Sequence, residues 1–382
     1  MNVQVVTDSA SSLTPEMAQA AGVTIVDLHT SEDGPEQTTA GLGALELTAA
    51  YARLLERGGD SGVVAIHISK ELSATWSNAN TAAGIFDGLV EVLDTDSVAM
   101  CNGFAAMKAA EVAQAGGSLE EVARAAKDMI AESSMYLYLH RLDSMRKGGR
   151  LSPGQTLLST ALAIKPILRL ADGKIALAAK TRTQRKAMEK MVEIVLDVVA
   201  TEARRAAAAD EEPRQVRVAV QQVEAEDVAE NLIASMEKRV AELHVSPLGS
   251  EPGGEASDTD AALGHFAGLK SVVTRIPGDK SANPLGASDK PAKEKSLGRK
   301  AAGNKLAGSK LADSKFSGEK LAGEKSVDAK TADAPVTDET SEDAAGAAPV
   351  ALPEVEFMIL AASEVLAAHS GPGAIAVSTV LW

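Results

Sequence analysis

Short aliphatic runs alternate with helix-length segments through the first third of the chain, and this alternation restricts the fold more than any other feature. Residues 3–6, 23–28, 62–69 and 89–95 are rich in valine and isoleucine, and stretches with helical spacing separate them. Strands that alternate with helices form βαβ units, whose strands lie parallel in one sheet. We therefore predict an N-terminal parallel α/β domain over residues 1–134.

A second α/β pattern with a different order begins at residue 135. Two alternating runs flank Asp172-Gly173, a pair typical of a β-hairpin turn. The other elements predicted here are a strand at 135–140, a short helix at 156–164, a helix over 183–208, a strand at 214–223, a helix over 225–238, a strand within 241–249 and, after residue 350, a strand, a short helix or turn, and a final strand. We predict a C-terminal α/β domain formed by 135–249 and 351–382.

Between these two pieces, residues 250–350 have a different composition, rich in Gly, Ser, Ala, Asp and Lys. Lysine recurs at every fifth position from Lys290 to Lys330. A period of five matches neither a helix nor a strand, so the segment has no stable apolar stripe. One interpretation is a low-complexity, disordered insertion. The alternative is a short pentapeptide-repeat β-helix centred on Leu306, Leu311 and Phe316, but it would bury Glu319 without a partner.

Charge and cysteine content exclude several classes of protein. The net charge is −15 and argues against nucleic acid or an anionic membrane as the principal partner, although transient membrane contact remains compatible with it. Cys101 is the single cysteine, lies in an apolar setting, and is expected to be a buried structural thiol. The N-terminus lacks the basic and apolar regions of a signal peptide. These features predict a cytoplasmic protein, and we expect a monomer.

Polar residues follow the predicted strands at several points. Asp8 and Ser9 come directly after the first strand, where open parallel sheets bind ligands, or where they shape a loop. Ser73 lies where a helix begins and either holds an anion or caps the helix. Near the C-terminus, His369 precedes a turn containing Gly371 and Gly373, whose N–H groups can assist an anion site.

Basic residues are concentrated in two segments of this acidic chain. Arg150 belongs to the turn RKGGRLS, and Arg182 precedes the long predicted helix. Arginine forks suit anionic groups, so these residues are candidates for docking an anionic ligand or partner, or form a solvated basic turn.

A Ser/His acyl hydrolase is the catalytic alternative for this sequence. Ser73 and His369 provide a serine and a histidine for an acyl hydrolase, but the chain has no Gly-x-Ser-x-Gly elbow and no obvious carboxylate to orient His369. The P-loop and Gly-x-Gly-x-x-Gly fingerprints are absent from the sequence, and His67 stands alone on its strand. We therefore expect neither a metal nor a cofactor.

The order of the segments VVTDSASS, HISKELSATWSNA, RKGGRLS, KTRTQRKAM and HSGPGAIAV resembles that of the DegV family, the bacterial fatty-acid-binding proteins that partner a fatty acid kinase. The resemblance covers about residues 3–249 and 351–380. It departs from the family's Thr-Thr-Ser-x-Pro-Ser segment, which here is Thr-Thr-Ala-Gly-Leu-Gly at 38–43, and Ala74 replaces a glycine.

The resemblance implies two α/β domains with a ligand tunnel between them and a non-catalytic role. A fatty acid would lie in the tunnel, with its carboxylate held by Thr39, Ser73 and His369. Arg150 and Arg182 would lie at the pocket mouth or contact the kinase, and Asp8, Ser9, Gly371 and Gly373 would support the site. The kinase would form an acyl phosphate for phospholipid synthesis. A degenerate member acting as an interaction module through the lysine repeat is the remaining alternative.

Overall fold

A computed structural model describes residues 2–31, 38–142, 145, 149, 164–245, 272–275 and 350–382, with the backbone alone for 38 and 272–275. Arg150 and most of the predicted basic turn, the helix predicted at 156–164 except its last residue, and the lysine repeat lie outside these residues. Within the described residues, no helix is long and apolar enough to cross a membrane.

The N-terminal region contains a parallel sheet with helices on both faces. Its strands are β1 (Gln4–Asp8), β2 (Val23–Val26), β5 (Val63–His67) and β6 (Val90–Asp94), and a separate antiparallel pair is formed by β3 (His29–Ser31) and β4 (Thr38–Ala40). The sheet order is β2-β1-β5-β6, and every pairing in it is parallel. The predicted parallel α/β architecture is therefore confirmed, whereas the short polar β3–β4 pair was not predicted.

Helices cover this sheet because their apolar residues recur at helical spacing. They are α1 (Pro15–Ala21), α2 (Ala44–Gly58), α3 (Thr75–Ala83), α4 (Met100–Gln114) and α5 (Leu119–Ala131). Leu47, Tyr51 and Leu54 of α2 pack on one face of the sheet, and α4 and α5 pack on the other. Alanines make up much of the buried side of α4, so a second sheet approaches this helix closely.

The second sheet is mixed and begins at residue 133. Its strands are β7 (Ser133–Tyr138), β8 (Lys165–Ala171), β9 (Lys174–Thr181), β10 (Val216–Gln222), β11 (Val272–Arg275), β12 (Val355–Ala361) and β13 (Ile375–Leu381). Their order is β11-β12-β10-β13-β7-β8-β9, parallel among β10, β11 and β12 and antiparallel elsewhere. The helices described here are α6 (Gln184–Ala209), α7 (Glu226–Ala241) and α8 (Glu364–Ser370). Apolar residues of α6 and α7 cover one face of this sheet.

Two predictions in this region need correction. The strand expected within 241–249 is wrong in its described part, because α7 continues to Ala241 and residues 243–245 form no strand. Val245 instead packs on Ala200 and Ala203 of α6. The segment 250–350, expected to lack regular structure, contributes β11, which pairs with β12 as an edge strand. The predicted division into one domain over residues 1–134 and a second over residues 135–249 and 351–382 stays a prediction.

A buried ion pair fixes the end of α6. Glu202 is 1% exposed and accepts hydrogen bonds from Arg205 and Arg214 at 2.7–3.2 Å. Arg214 also reaches Glu132 at 3.1 Å. Burial raises the pKa of the Glu202 carboxyl, but the arginine hydrogen bonds outweigh burial and lower the pKa to about 2.

Because the Glu202 pKa is lower in the folded state, its stabilising effect is complete above about pH 4.5 and is lost as the pH falls towards 2. We expect Glu202→Gln to lower the free energy of unfolding by about 3 kcal/mol at pH 7 and to flatten its pH dependence between pH 5 and 2. Denaturant unfolding across this range measures both effects. The control Glu189→Gln changes an exposed pair on the same helix and should have little effect; equal losses in both variants would contradict the prediction.

Candidate functional site

An apolar cavity lies between the two sheets, and both halves of the chain line it. The space between its walls is about 970 Å³ when the part open to solvent is included, and the volume available to the centre of a water-sized sphere is about 100 Å³. Its apolar lining includes Leu28, Ile68, Leu72, Val98, Ala99, Met135, Leu137, Leu168, Leu170, Ile175, Val365, Leu366 and Ala376. Aliphatic side chains dominate this lining, so the cavity suits a long apolar ligand.

Thr39 and His369 meet at this cavity although 330 positions separate them in the chain. The Thr39 hydroxyl and His369 Nε2 lie 2.7 Å apart, and both side chains are half-buried. The β3–β4 pair positions Thr39 opposite Thr30, and His369 lies in the last turn of α8. The two residues therefore form a polar group on an otherwise apolar wall.

Ser73 lies beside the same group because Gly41 lets two backbone segments approach each other. A Cβ atom on Gly41 would lie 3.1 Å from Ser73 Oγ and 3.0 Å from Thr75 Oγ1. The Ser73 hydroxyl contacts Thr75 Oγ1 at 2.9 Å, and Thr75 Oγ1 accepts the N–H of Leu42 at 3.3 Å. Thr39, Gly41, Ser73 and His369 all line the cavity. The three residues expected around a carboxylate thus lie on one part of its wall.

The turn after His369 is fixed by its two glycines. Gly371 and Gly373 have φ angles of 71° and 80°. The N–H of Gly373 donates to the carbonyl of Val223 at 2.8 Å, and a Cβ atom there would lie 2.9 Å from His140 Cβ. These contacts attach the turn to the end of β10. The N–H of Gly371 likewise donates to the Ala367 carbonyl at 2.8 Å, so both N–H groups predicted to assist an anion are instead used within the protein.

Asp8 and Ser9 do not line the cavity but hold two residues that do. The Asp8 carboxylate accepts the N–H groups of Ala10 and Ile68 at 3.1 and 2.9 Å, and the Ser9 hydroxyl accepts the N–H of Leu28 at 3.0 Å. Ile68 and Leu28 both line the cavity, whereas neither Asp8 nor Ser9 does. Their contacts are those of a supporting loop.

His67 belongs to a buried network that the sequence analysis missed. Its Nδ1 lies 3.1 Å from Asp8 Oδ2, and its Nε2 lies 2.9 Å from the Tyr51 hydroxyl. Because a carboxylate only accepts, Nδ1 donates to Asp8, and Nε2 forms the hydrogen bond with the Tyr51 hydroxyl. Burial, together with the charge of Asp8, raises the pKa of the Tyr51 phenol well above its usual range. All three side chains are fully buried.

The remaining candidates lie elsewhere. Arg182 is exposed at the start of α6 and does not line the cavity, and Arg150 lies outside the described residues. Cys101 is buried as predicted, and burial raises the pKa of its thiol, although hydrogen bonds from Ser97, Ser133 and Ser378 oppose this effect. Among the described side chains, no group of three or more His, Cys, Asp or Glu residues could hold a metal ion.

A Ser/His hydrolase would need a hydrogen bond between Ser73 and His369. The contacts of the Ser73 hydroxyl are instead with the hydroxyl and N–H of Thr75, at 2.9 and 3.2 Å. Among the described residues, the Ser73 hydroxyl thus has no contact with a base of the kind that activates a serine nucleophile.

Relatives of known sequence match most of the described fold. A DegV domain-containing protein of Corynebacterium glutamicum is 46% identical over 233 residues, which cover 61% of this chain and 81% of that protein. A DegV domain-containing protein of Streptomyces coelicolor is 37% identical over 273 residues, covering 65% and 92% of the two chains.

Solved structures share the same fold. The crystal structure of a DegV family protein from Corynebacterium glutamicum aligns with a TM-score of 0.64 and 32% identity, covering 100% of this chain and 98% of that one. A DegV family protein from Thermus thermophilus aligns with a TM-score of 0.61 and 19% identity over 100% of both chains.

A family model described as "Uncharacterised protein, DegV family" matches residues 29–253, more than half of the chain. The matched range includes Thr39 and Ser73, whose positions around the cavity are given above, and the relatives at 46% and 37% identity carry the same family name. The chain belongs to the DegV family.

Proposed function

We propose that this protein binds a long-chain fatty acid, with its hydrocarbon tail in the cavity between the two sheets. Burying a methylene group contributes about 0.8 kcal/mol, so an aliphatic wall favours a hydrocarbon tail. The family member from Thermus thermophilus is described as binding fatty acid, and one from Eubacterium ventriosum as binding stearic acid. Both descriptions support this choice of ligand.

The carboxylate is held by Thr39, Ser73 and His369. The observation that carries this assignment is the 2.7 Å contact between the Thr39 hydroxyl and His369 Nε2 at an apolar cavity. A carboxylate removed from water needs several hydrogen-bond donors to offset its desolvation. Two hydroxyls and an imidazole N–H provide such donors, and each reorients when the ligand arrives.

The protein is a carrier in this proposal, and a separate cytoplasmic kinase performs the chemistry. The bound carboxylate is presented to the kinase, which converts it to an acyl phosphate for phospholipid synthesis. Arg150 and Arg182 contact this partner. Arg182 is exposed and outside the cavity lining, as a docking residue has to be.

A ligand-binding experiment tests the site. Mass spectrometry of an organic extract of the purified protein should find co-purified fatty acid. Thr39→Val and His369→Leu should each weaken fatty acid binding about 10- to 100-fold, because each removes a hydrogen bond to a charged group. Titration with a fluorescent fatty acid measures the loss.

Thr48→Val is the matched control, since Thr48 bonds to the Ala44 carbonyl on α2 and lies outside the cavity lining. Its affinity should equal that of the unsubstituted protein. An extract without lipid, together with no binding in titration, would refute the proposed function.

A further inference from the structure

One polar side chain interrupts an apolar row that crosses the second sheet. Gln221 pairs with Leu360 on β12 and with Ala376 on β13, and the row continues through Leu137 and Leu168. Gln221, Ala376, Leu137 and Leu168 all line the cavity. The glutamine is 1% exposed. Its amide is thus the polar exception on this part of the wall.

The hydrogen bonds of this amide are incomplete. Its Nε2 and Oε1 lie 3.3 and 3.4 Å from Ser378 Oγ, at the long end of the hydrogen-bonding range. A primary amide offers two donors and two acceptor positions, and one hydroxyl satisfies at most half of them. A donor and an acceptor position of Gln221 therefore remain unused among the described residues.

Gln221 lies on the same face of β10 as the residue that holds the turn after His369. This turn is attached at Val223, whose carbonyl accepts the N–H of Gly373. Gln221 precedes Val223 by two residues, so its side chain lies on the same face about 7 Å along the strand. Ala376, beside it in the row, is small and also lines the cavity.

We propose that Gln221 is a specificity residue that binds a hydroxyl group on the acyl chain, so that the preferred ligand is a hydroxylated fatty acid. This inference rests on the proposed function. A hydroxyl on the tail both donates and accepts, so it satisfies the unused groups in either orientation of the amide. A site built around such a polar group discriminates against the analogue that lacks it.

Binding of stearic acid and of a series of monohydroxystearic acids, with the hydroxyl at successive chain positions, tests the proposal. At one or two adjacent positions, the hydroxylated acid should bind about 3- to 10-fold more tightly than stearic acid. Gln221→Met keeps the side-chain length and removes the amide. It should abolish this preference and strengthen binding of stearic acid itself.

Leu360→Met is the control, because Leu360 pairs with Gln221 in the same row but does not line the cavity, and this variant should keep the preference. Thermal melting confirms that each variant is folded. The unsubstituted protein alone also tests the proposal, because its affinities for stearic acid and for the hydroxylated acids can be compared directly. If stearic acid binds and no hydroxylated acid binds more tightly, the inference is wrong and the proposed function stands. If no fatty acid binds, both are wrong.

Discussion

Replacing Asp8 with alanine should lower the free energy of unfolding by about 3–5 kcal/mol. Its carboxylate accepts hydrogen bonds from the N–H groups of Ala10 and Ile68 and from Nδ1 of His67, all in a fully buried position. Alanine would leave three buried donors without an acceptor, and it would also create a small cavity. Denaturant unfolding with a structural probe such as circular dichroism measures the loss.

The same network gives a graded comparison. Tyr51→Phe removes the outermost hydrogen bond, to Nε2 of His67, and should cost about 1 kcal/mol. Asp27→Ala makes the same chemical change as Asp8→Ala at an exposed position and should be nearly neutral. If Asp8→Ala loses no more stability than Asp27→Ala, the network does not stabilise the fold as described.

The regular elements were predictable because their signals are local. Val63–His67 is a continuous aliphatic run, and Asp172-Gly173 is a hairpin pair, so β5 and the β8–β9 hairpin were predicted close to their observed bounds. The β3–β4 pair was missed since His-Thr-Ser and Thr-Thr-Ala have no apolar alternation. The false strand after α7 arose from the alternation of Leu243 and Val245, which pack on α6 instead.

The site was predictable only in part. Nothing in local spacing brings Thr39 to His369 across 330 positions. Thr39 was identified only through the family motif, whereas His369 was also indicated by the glycine turn that follows it. His67 looked solitary because its partners, Asp8 and Tyr51, meet it only in the tertiary structure. Gln221 had a weak signal, a glutamine pair at the end of the strand-like run VRVAVQQV, but which glutamine faces the cavity depends on strand register.

The tip of the β8–β9 hairpin should control ligand affinity through its contact with Ser69, which follows β5. The fully buried Ser69 hydroxyl donates to the Gly173 carbonyl at 3.0 Å. A Cβ atom on Gly173 would lie 2.5 Å from Ser69 Oγ and 2.8 Å from Asp96 Oδ1. The hairpin also provides Leu168, Leu170 and Ile175 to the cavity wall. A displaced tip would therefore open one wall of the cavity.

Gly173→Ala should both destabilise the fold and weaken fatty acid binding at least about 10-fold. Its φ of +72° disfavours alanine by about 1–2 kcal/mol, and the contact with Ser69 adds a displacement of the hairpin. Gly116→Ala separates the two effects, because Gly116 has a φ of +88° and no atom within 4 Å of its Cβ position. That control should lose about 1–2 kcal/mol of stability and keep its affinity. Calorimetry measures the stability and the fatty acid affinity of both variants. If Gly173→Ala binds fatty acid as tightly as Gly116→Ala, the contact at the hairpin tip has no effect on the cavity.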